Sequence, residues 1–267
     1  MNGRVRPPVV AGSFYPAEPA ALRGAMSQAF EQAVAPDAGD QPLCPRALIV
    51  PHAGYVYSGP IAASAYLRLR AARDTIRRVV LLGPSHRVPF DGIAASSAEA
   101  FATPLGTIPI DIEARSAVLE VPHVTVNDAA HAHEHSLEVQ LPFLQTVLDD
   151  FRLLPLVVGT ASPDQVAAVI DRCGEGADTV IIVSTDLSHY HRYDEAVVRD
   201  RRTATAIASR RFDEISLHDA CGANPLNGML LAAAEQGLAI EQLDLRNSGD
   251  TSGDHERVVG YGAFAVG

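Results

Sequence analysis

Four short apolar runs place the strongest limit on how this chain can fold. They are rich in Val, Ile and Leu and span residues 47–50, 79–82, 153–158 and 180–183. Runs of this length and composition are typical of strands that are buried on both faces. Segments with helical periodicity lie between them, and strands that alternate with helices indicate helices on both faces of a parallel sheet. The sequence therefore predicts a single α/β domain over residues 1–267, with a mainly parallel central sheet.

Proline and capping residues set the predicted bounds of the helices. Ser162-Pro163-Asp164-Gln165 has the pattern of a capping box with proline at the first helical position. Pro142 should bend the first turns of the segment in which it lies. The predicted helices cover residues 19–34, 60–72, 136–150, 194–209 and segments that start at 162 and 224. A hairpin is predicted within residues 92–110, and a last strand over 257–266.

Ionisable side chains follow three of the four apolar runs. His52 comes shortly after the first run and His86 after the second, while Asp186 and His189 follow the run at 180–183. Open α/β sheets bind ligands outside the carboxyl ends of their strands. Two imidazoles and one carboxylate are the ligands of the facial triad that holds ferrous iron, and zinc accepts the same donors. The sequence therefore predicts a metal site at this edge of the sheet.

Asp186 and His189 are spaced three residues apart. If the chain turns helically after the strand, both side chains project to one side. A carboxylate beside an imidazole raises the basicity of the ring, which suits a general base. We therefore expect His189 and Asp186 to be catalytic, the alternative being a helix-capping aspartate next to a surface histidine.

Three further segments have both a functional and a structural interpretation. His135 is the best functional candidate within the histidine-rich tract 131–138. The alternative is that this tract is only a solvated turn. Cys221 precedes a predicted helix, where a thiol pKa can be lowered, although packing is the commoner role. The polar loop 247–254 either supplies a third metal ligand or is an ordinary turn before the last strand.

Composition excludes several classes of protein. The formal net charge of −11 argues against binding to nucleic-acid backbones. No apolar stretch approaches the roughly 18 residues of a membrane span, and the first residues contain no apolar signal region. The three cysteines are far apart and form no CxxC pair, which favours a reducing, cytoplasmic location. The absence of Walker A, GxGxxG and GxSxG motifs makes nucleotide-dependent transfer and serine hydrolysis poor candidates.

Seven short sequence blocks carry a resemblance that extends along almost the whole chain. They are AGSFYP at 11–16, PHAGY at 51–55, GPSH at 83–86, EHSLE at 134–138, STDLSH at 184–189, CG at 221–222 and VGY at 259–261. In this order and spacing they resemble the Memo-like family, whose prokaryotic members are called AmmeMemoRadiSam system protein B. The resemblance implies the fold of class III extradiol dioxygenases, non-haem iron enzymes that open catechol rings.

The resemblance also implies roles for individual residues. His52 and His86 match two metal ligands, and Asp186 and His189 match neighbouring acid/base positions. We expect His135 and Cys221 to lie at the same pocket. The positions that match pocket-lining aromatic residues are Phe14 and Tyr57.

The third metal ligand is where this chain departs from the family pattern. The animal protein supplies a cysteine from the loop before the last strand, but this loop contains none. The register falls on Asp250 or Thr251, with Asp254 as a further alternative. An aspartate would restore a site of two histidines and one carboxylate. We therefore expect one transition metal ion bound by His52, His86 and Asp250, with iron(II) ahead of copper or zinc.

Three functions fit these observations. The first is a metal-binding redox protein that resembles the extradiol dioxygenases, with an unknown substrate. The second is a non-catalytic module that binds a peptide or a partner protein in the same cleft, and the third is a zinc-dependent hydrolase. The expected ligand is thus a small molecule or a peptide. The family name also implies a pathway link to radical SAM and AMMECR-type proteins.

Overall fold

Strands and helices alternate along most of the computed structural model, which describes residues 4–35, 44–174 and 176–267. The strands are β1 (Val5–Arg6), β2 (Ala47–Val50), β3 (Arg78–Pro84), β4 (Ile93–Ala95), β5 (Ala100–Thr103), β6 (Gly106–Pro109), β7 (Val124–Val126), β8 (Arg152–Val158), β9 (Thr179–Ser184), β10 (His189–His191), β11 (Ile240–Asn247) and β12 (Val258–Val266). The α-helices are α1 (Pro19–Glu31), α2 (Tyr55–Tyr66), α3 (Ile112–Val118), α4 (Asp128–Ala132), α5 (Leu141–Val147), α6 (Pro163–Cys173), α7 (Tyr193–Ala208), α8 (Ala223–Glu235) and α9 (Ser248–Ser252). Short 3-10 helices cover Leu67–Ala72, Glu138–Gln140 and Phe212–Glu214.

The four apolar runs form the centre of the main sheet. Its strand order is β10-β12-β2-β9-β3-β8-β4-β7, and β11 pairs with β12. The neighbours β2, β9, β3 and β8 are parallel, as predicted. β12 and β4 add to this centre in the antiparallel direction, so the sheet as a whole is mixed. Antiparallel strands at the border of a parallel sheet are common in α/β folds.

Helices on both faces explain why the central strands are apolar without alternation. Leu48 and Val50 in β2 belong to the core that packs against α1, α2 and α5. Ala47 and Ile49 belong to the opposite core, against α6 and α8. All four residues are fully buried. Both faces of the sheet are therefore removed from water, which is the main stabilising contribution to such a fold.

Two proline-containing helices have bounds that differ clearly from prediction. α2 begins at Tyr55, ahead of the predicted start, so that Pro60 lies inside the helix. The single helix predicted over 136–150 is wrong: Glu138–Gln140 forms a 3-10 turn, and α5 begins only at Leu141. Pro142 lies in the first turn of α5, where its missing N–H leaves no hydrogen bond unmade.

Several other local predictions are confirmed. Ser162 and Gln165 form both hydrogen bonds of a capping box at the start of α6. β5 and β6 form the antiparallel hairpin within 92–110, and β12 is the last strand. α7 covers Tyr193–Ala208, within one residue of the predicted 194–209.

A buried ion pair attaches the N-terminal segment to the rest of the domain. Arg6 Nη1 lies 2.8 Å from Glu138 Oε2, and the two side chains are 7% and 0% exposed. The Glu138 carboxylate also accepts hydrogen bonds from Val9 N, Val10 N and Tyr15 Oη. This attachment places Phe14 beside the histidines described below.

Among the described residues, no helix is both long enough and apolar enough to cross a membrane.

Candidate metal centre

Three histidines converge at the carboxyl edge of the parallel strands. Nitrogen atoms of His52, His86 and His135 lie within 4.8 Å of one another. His52 follows β2 and His86 follows β3, the two strands on either side of β9, so their carboxyl ends meet at one edge. His135 comes from the segment between α4 and the 3-10 turn at Glu138–Gln140. Ring centroids are separated by 4.7–5.4 Å, so the three rings surround a common space that could hold a metal ion.

Hydrogen bonds determine which nitrogen of His52 faces this space. His52 Nδ1 lies 2.9 Å from Ser184 Oγ. The single proton of that hydroxyl goes to Ser136 O at 2.6 Å, and the hydroxyl also accepts a bond from Gln140 Nε2. Gln140 Nε2 donates to Pro51 O as well, which sets the orientation of its amide. Nδ1 of His52 must therefore be the donor, which leaves Nε2 unprotonated and available as a ligand.

A buried carboxylate orients His86 in the same way. His86 Nδ1 lies 2.9 Å from Glu134 Oε1, and His86 N donates to Glu134 Oε2 at 2.6 Å. Nδ1 of His135 is 3.3 Å from the same Oε1 without the geometry of a hydrogen bond. Burial alone would raise the pKa of Glu134, but its contacts with His135 and His86 outweigh burial and hold that pKa far below its usual range. The carboxylate is thus charged, and it turns Nε2 of His86 toward the space between the rings.

His52 is held in its neutral form. Burial lowers its pKa well below the usual value, and the neighbouring rings of His86 and His135 lower it further. Neutral imidazole is the form that binds a metal ion. The group thus has three convergent ring nitrogens, and hydrogen bonds to Nδ1 orient two of its rings, those of His52 and His86.

Asp250, the expected third ligand, lies outside the histidine group. Asp250 Oδ1 accepts a hydrogen bond from Tyr193 Oη at 2.6 Å, and Oδ2 accepts one from Asn247 N at 2.8 Å. These bonds cap the start of α9, and the exposed Asp250 lines a different cavity, beside α7. Its carboxylate points back along its own helix and takes no part in the histidine group.

The third member of the group that could hold a metal ion is His135. Of the two alternatives in the same loop, Asp254 lines the cleft in front of the histidines, whereas Thr251 lines a neighbouring pocket. No carboxylate joins the metal-binding group among the described residues, so the donor set differs from two histidines and one carboxylate.

The segment with Asp186 and His189 is extended rather than helical. Residues 185–188 form no helix, and β10 begins at His189. Asp186 Oδ1 accepts a hydrogen bond from His52 N at 2.7 Å. The expectation that Asp186 orients the His189 ring is therefore corrected: Asp186 is buried and holds the backbone of a candidate ligand. His189 is half-buried and lines the cleft.

Cys221 lies against His52. Its Sγ is 3.3 Å from His52 Nε2 and 3.3 Å from Asp186 N. Burial, followed by the charge of Asp186, raises the pKa of this thiol to about 12. This raised pKa does not fit an activated thiol and agrees with packing, the commoner role of such a cysteine.

The histidines open into a large cleft. Its volume is about 1190 Å³, more than the roughly 300–1,000 Å³ of pockets that enclose small molecules. The four predicted pocket residues Phe14, Tyr57, His135 and Cys221 all line it. The ring of Phe14 lies 4.7 Å from that of His135, measured between centroids.

Sequence reasoning missed the two residues that orient the ligands, Glu134 and Ser184. Glu134 stands directly before His135, so its place in a histidine-rich tract was a usable signal. Ser184 is the last residue of a buried strand, and a hydroxyl there has no sequence signature that separates it from ordinary packing.

Comparison with known proteins places the whole chain in context. A family model described as Memo-like protein matches residues 6–265. A MEMO1 family protein of Methanopyrus kandleri is 37% identical over 285 residues, which cover 97% of this chain and 98% of that protein. A MEMO1 family protein of Aquifex aeolicus is 36% identical over 275 residues, covering 97% of each. An uncharacterized protein of Escherichia coli K12 shares the fold, with a TM-score of 0.50 at 12% identity over 81% of this chain and 98% of that one.

Proposed function

The chain belongs to the Memo-like family, and we propose that it is a metal-binding redox protein whose metal ion is held by His52, His86 and His135. One observation carries the proposal: the imidazoles of the buried His52, the exposed His86 and the half-buried His135 converge, and the outer nitrogens of the first two are engaged by Ser184 and Glu134. Imidazole suits iron, copper and zinc. Iron(II) is the first candidate, because the resemblance of this family to the class III extradiol dioxygenases implies a non-haem iron site.

The residues of the cleft have different roles in such a reaction. Bound iron(II) would activate dioxygen and polarise the hydroxyl groups of a diol. A ring nitrogen of His189 accepts a proton from the substrate, since this imidazole faces the cleft and makes no hydrogen bond within residues 4–35, 44–174 and 176–267. Asp186 keeps His52 in position by accepting a hydrogen bond from the backbone N–H of His52. Phe14 and Tyr57 offer apolar surface to a planar ligand.

A zinc-dependent hydrolase is the second candidate. The observation in its favour is the donor set itself, because three histidines without a carboxylate hold the catalytic zinc of carbonic anhydrase. In this case His189 would serve as the proton acceptor for a water molecule.

Metal analysis of protein purified without added metal tests the proposal. The His52→Ala/His86→Ala variant should lose the metal yet remain folded, because both residues follow strands rather than form the core. His133→Ala is the matched control, since this exposed histidine is two residues from His135 but outside the group. Unchanged metal stoichiometry in the double variant would refute the site.

Activity measurements then separate the candidates. Iron with oxygen consumption in the presence of catechols supports the redox proposal, whereas zinc with oxygen-independent ester hydrolysis supports the second candidate. No binding of iron(II), copper or zinc would overturn both and leave a binding module. His189→Ala should keep the metal and lose about 10²- to 10⁴-fold in turnover.

A further inference from the structure

The cleft differs in charge from the protein as a whole. The chain has a formal net charge of −11, yet Arg87, Arg199 and Arg257 line the cleft against only two carboxylates, Asp186 and Asp254. Six of the ten histidines line it as well. Arg199 is paired with Glu195, so the remaining two arginines balance the two aspartates, and the cleft repels anions less than the acidic remainder of the protein does.

Two of these arginines have no carboxylate partner within the described part of the chain. Arg199 is paired with Glu195 at 2.8 Å, but Arg87 and Arg257 form no ion pair. Both are exposed, and Arg87 directly follows His86. Every cationic side chain of this protein is an arginine, whose planar fork binds a carboxylate or phosphate through two parallel hydrogen bonds.

The backbone beside Arg257 has an unusual conformation. Tyr190 has a φ of 63°, in the left-handed region that an aromatic residue rarely adopts. The register of the β10–β12 pair shifts at this point. The Tyr190 ring, which lines the cleft, lies beneath the Arg257 guanidinium at 5.1 Å from its centroid. Such strain is characteristic of functional sites, and here the stacking restricts the free guanidinium to the cleft mouth.

We propose that the cleft binds an organic anion whose carboxylate or phosphate group is held by Arg87 and Arg257. The inference rests on the proposed function in one respect, that the reacting end of this ligand lies at the three histidines. Aromatic side chains on the cleft wall favour a ligand with a planar ring: Phe14, Tyr57, Tyr190 and Tyr261. The acidic group itself binds to the arginines and needs no metal.

Calorimetric titration of the metal-free protein with three probes tests this assignment. Benzoate and phenyl phosphate carry the two acidic groups, and benzyl alcohol is the neutral control of similar shape. The affinity of at least one anion should exceed that of benzyl alcohol by about 10-fold or more, and it should fall with added salt. The tighter of the two anions identifies the acidic group.

Variants locate the binding site. The double variant Arg87→Gln/Arg257→Gln should bind the preferred anion about 10-fold or more weakly than the wild type, as expected for lost charge-assisted hydrogen bonds. Arg202→Gln removes one exposed charge of α7 away from the cleft and should change the affinity less than about two-fold. Both should unfold at the wild-type temperature, because the substituted side chains are exposed.

Two outcomes would overturn the inference: equal affinity for benzoate, phenyl phosphate and benzyl alcohol, or unchanged affinity in the double arginine variant. Binding that requires the metal would also overturn it, because the anion would then be bound by the metal and not by the arginines. The metal content of the same samples tests the proposed function independently of anion binding. A protein that binds anions but no metal would refute that function and retain this site.

Discussion

His86 Nδ1 and Glu134 Oε1 are joined by a hydrogen bond of 2.9 Å. The same carboxylate also accepts hydrogen bonds from the backbone N–H groups of His86, His135 and Ser136, and its side chain is 1% exposed. One buried acid therefore orients the ring of His86 and holds the backbone of His135. Its charge is balanced by hydrogen bonds on both oxygens, which a neutral amide cannot reproduce.

Glu134→Gln should weaken metal binding by about 10- to 100-fold, the usual effect of losing a group that orients a ligating histidine. Dissociation constants for the metal measured by competition with a chelator check this. Glu120→Gln is the control, because it changes a carboxylate that is 72% exposed and paired only with Arg172. Equal affinity in wild type and Glu134→Gln would mean that His86 is not a ligand.

His135→Ala and Asp250→Ala should have opposite effects. Removal of His135 takes away one of three convergent nitrogens and should lower the metal stoichiometry or raise the dissociation constant. Asp250→Ala should leave metal binding unchanged and cost about 1 kcal/mol of stability through the lost cap of α9. Metal analysis and thermal unfolding of the two variants make the comparison. Metal loss only in Asp250→Ala would restore the aspartate as a ligand.

Arg6→Ala should destabilise the protein far more than Arg4→Ala. Loss of Arg6 leaves Glu138 buried without a counter-charge, and breaking such a buried pair costs about 3–5 kcal/mol. Arg4 pairs with Asp128 at the surface, with a side chain that is 70% exposed, so its loss should cost less than about 1 kcal/mol. Urea unfolding at neutral pH measures both values. Similar costs would show that Glu138 is stabilised by its other hydrogen bonds alone.

The stability of the protein should fall in mild acid because of His131. Burial lowers the pKa of this histidine to about 4, although its Nε2–H donates to Ala94 O at 2.9 Å. Because the folded pKa lies below the unfolded value of about 6.5, the unfolded state takes up a proton that the folded state does not. The free energy of unfolding should therefore decrease between pH 6.5 and pH 4, by up to about 3 kcal/mol from this residue.

Comparison with His131→Gln isolates this contribution, since all other groups titrate alike in both proteins. The wild type should lose stability with falling pH more steeply than the variant. Parallel curves would show that His131 is protonated in the folded protein.

Local patterns in the sequence were sufficient to predict the central sheet and two of the candidate ligands. The apolar runs are continuous because both faces of β2, β3, β8 and β9 are buried. Burial on both faces requires apolar residues at successive positions, which is visible in the sequence. His52 and His86 follow the ends of parallel strands, so their meeting at one edge follows from topology alone.

Only the tertiary structure decided which group completes the site. His135 arrives from a segment without regular structure, and Asp250 turns away because it caps its own helix. Likewise, Asp186 accepts a hydrogen bond from the backbone of His52, and residues 185–188 do not form the helical turn that the spacing to His189 suggested. The direction of a side chain in a loop depends on hydrogen bonds to residues far away in the sequence, and no local pattern records those partners.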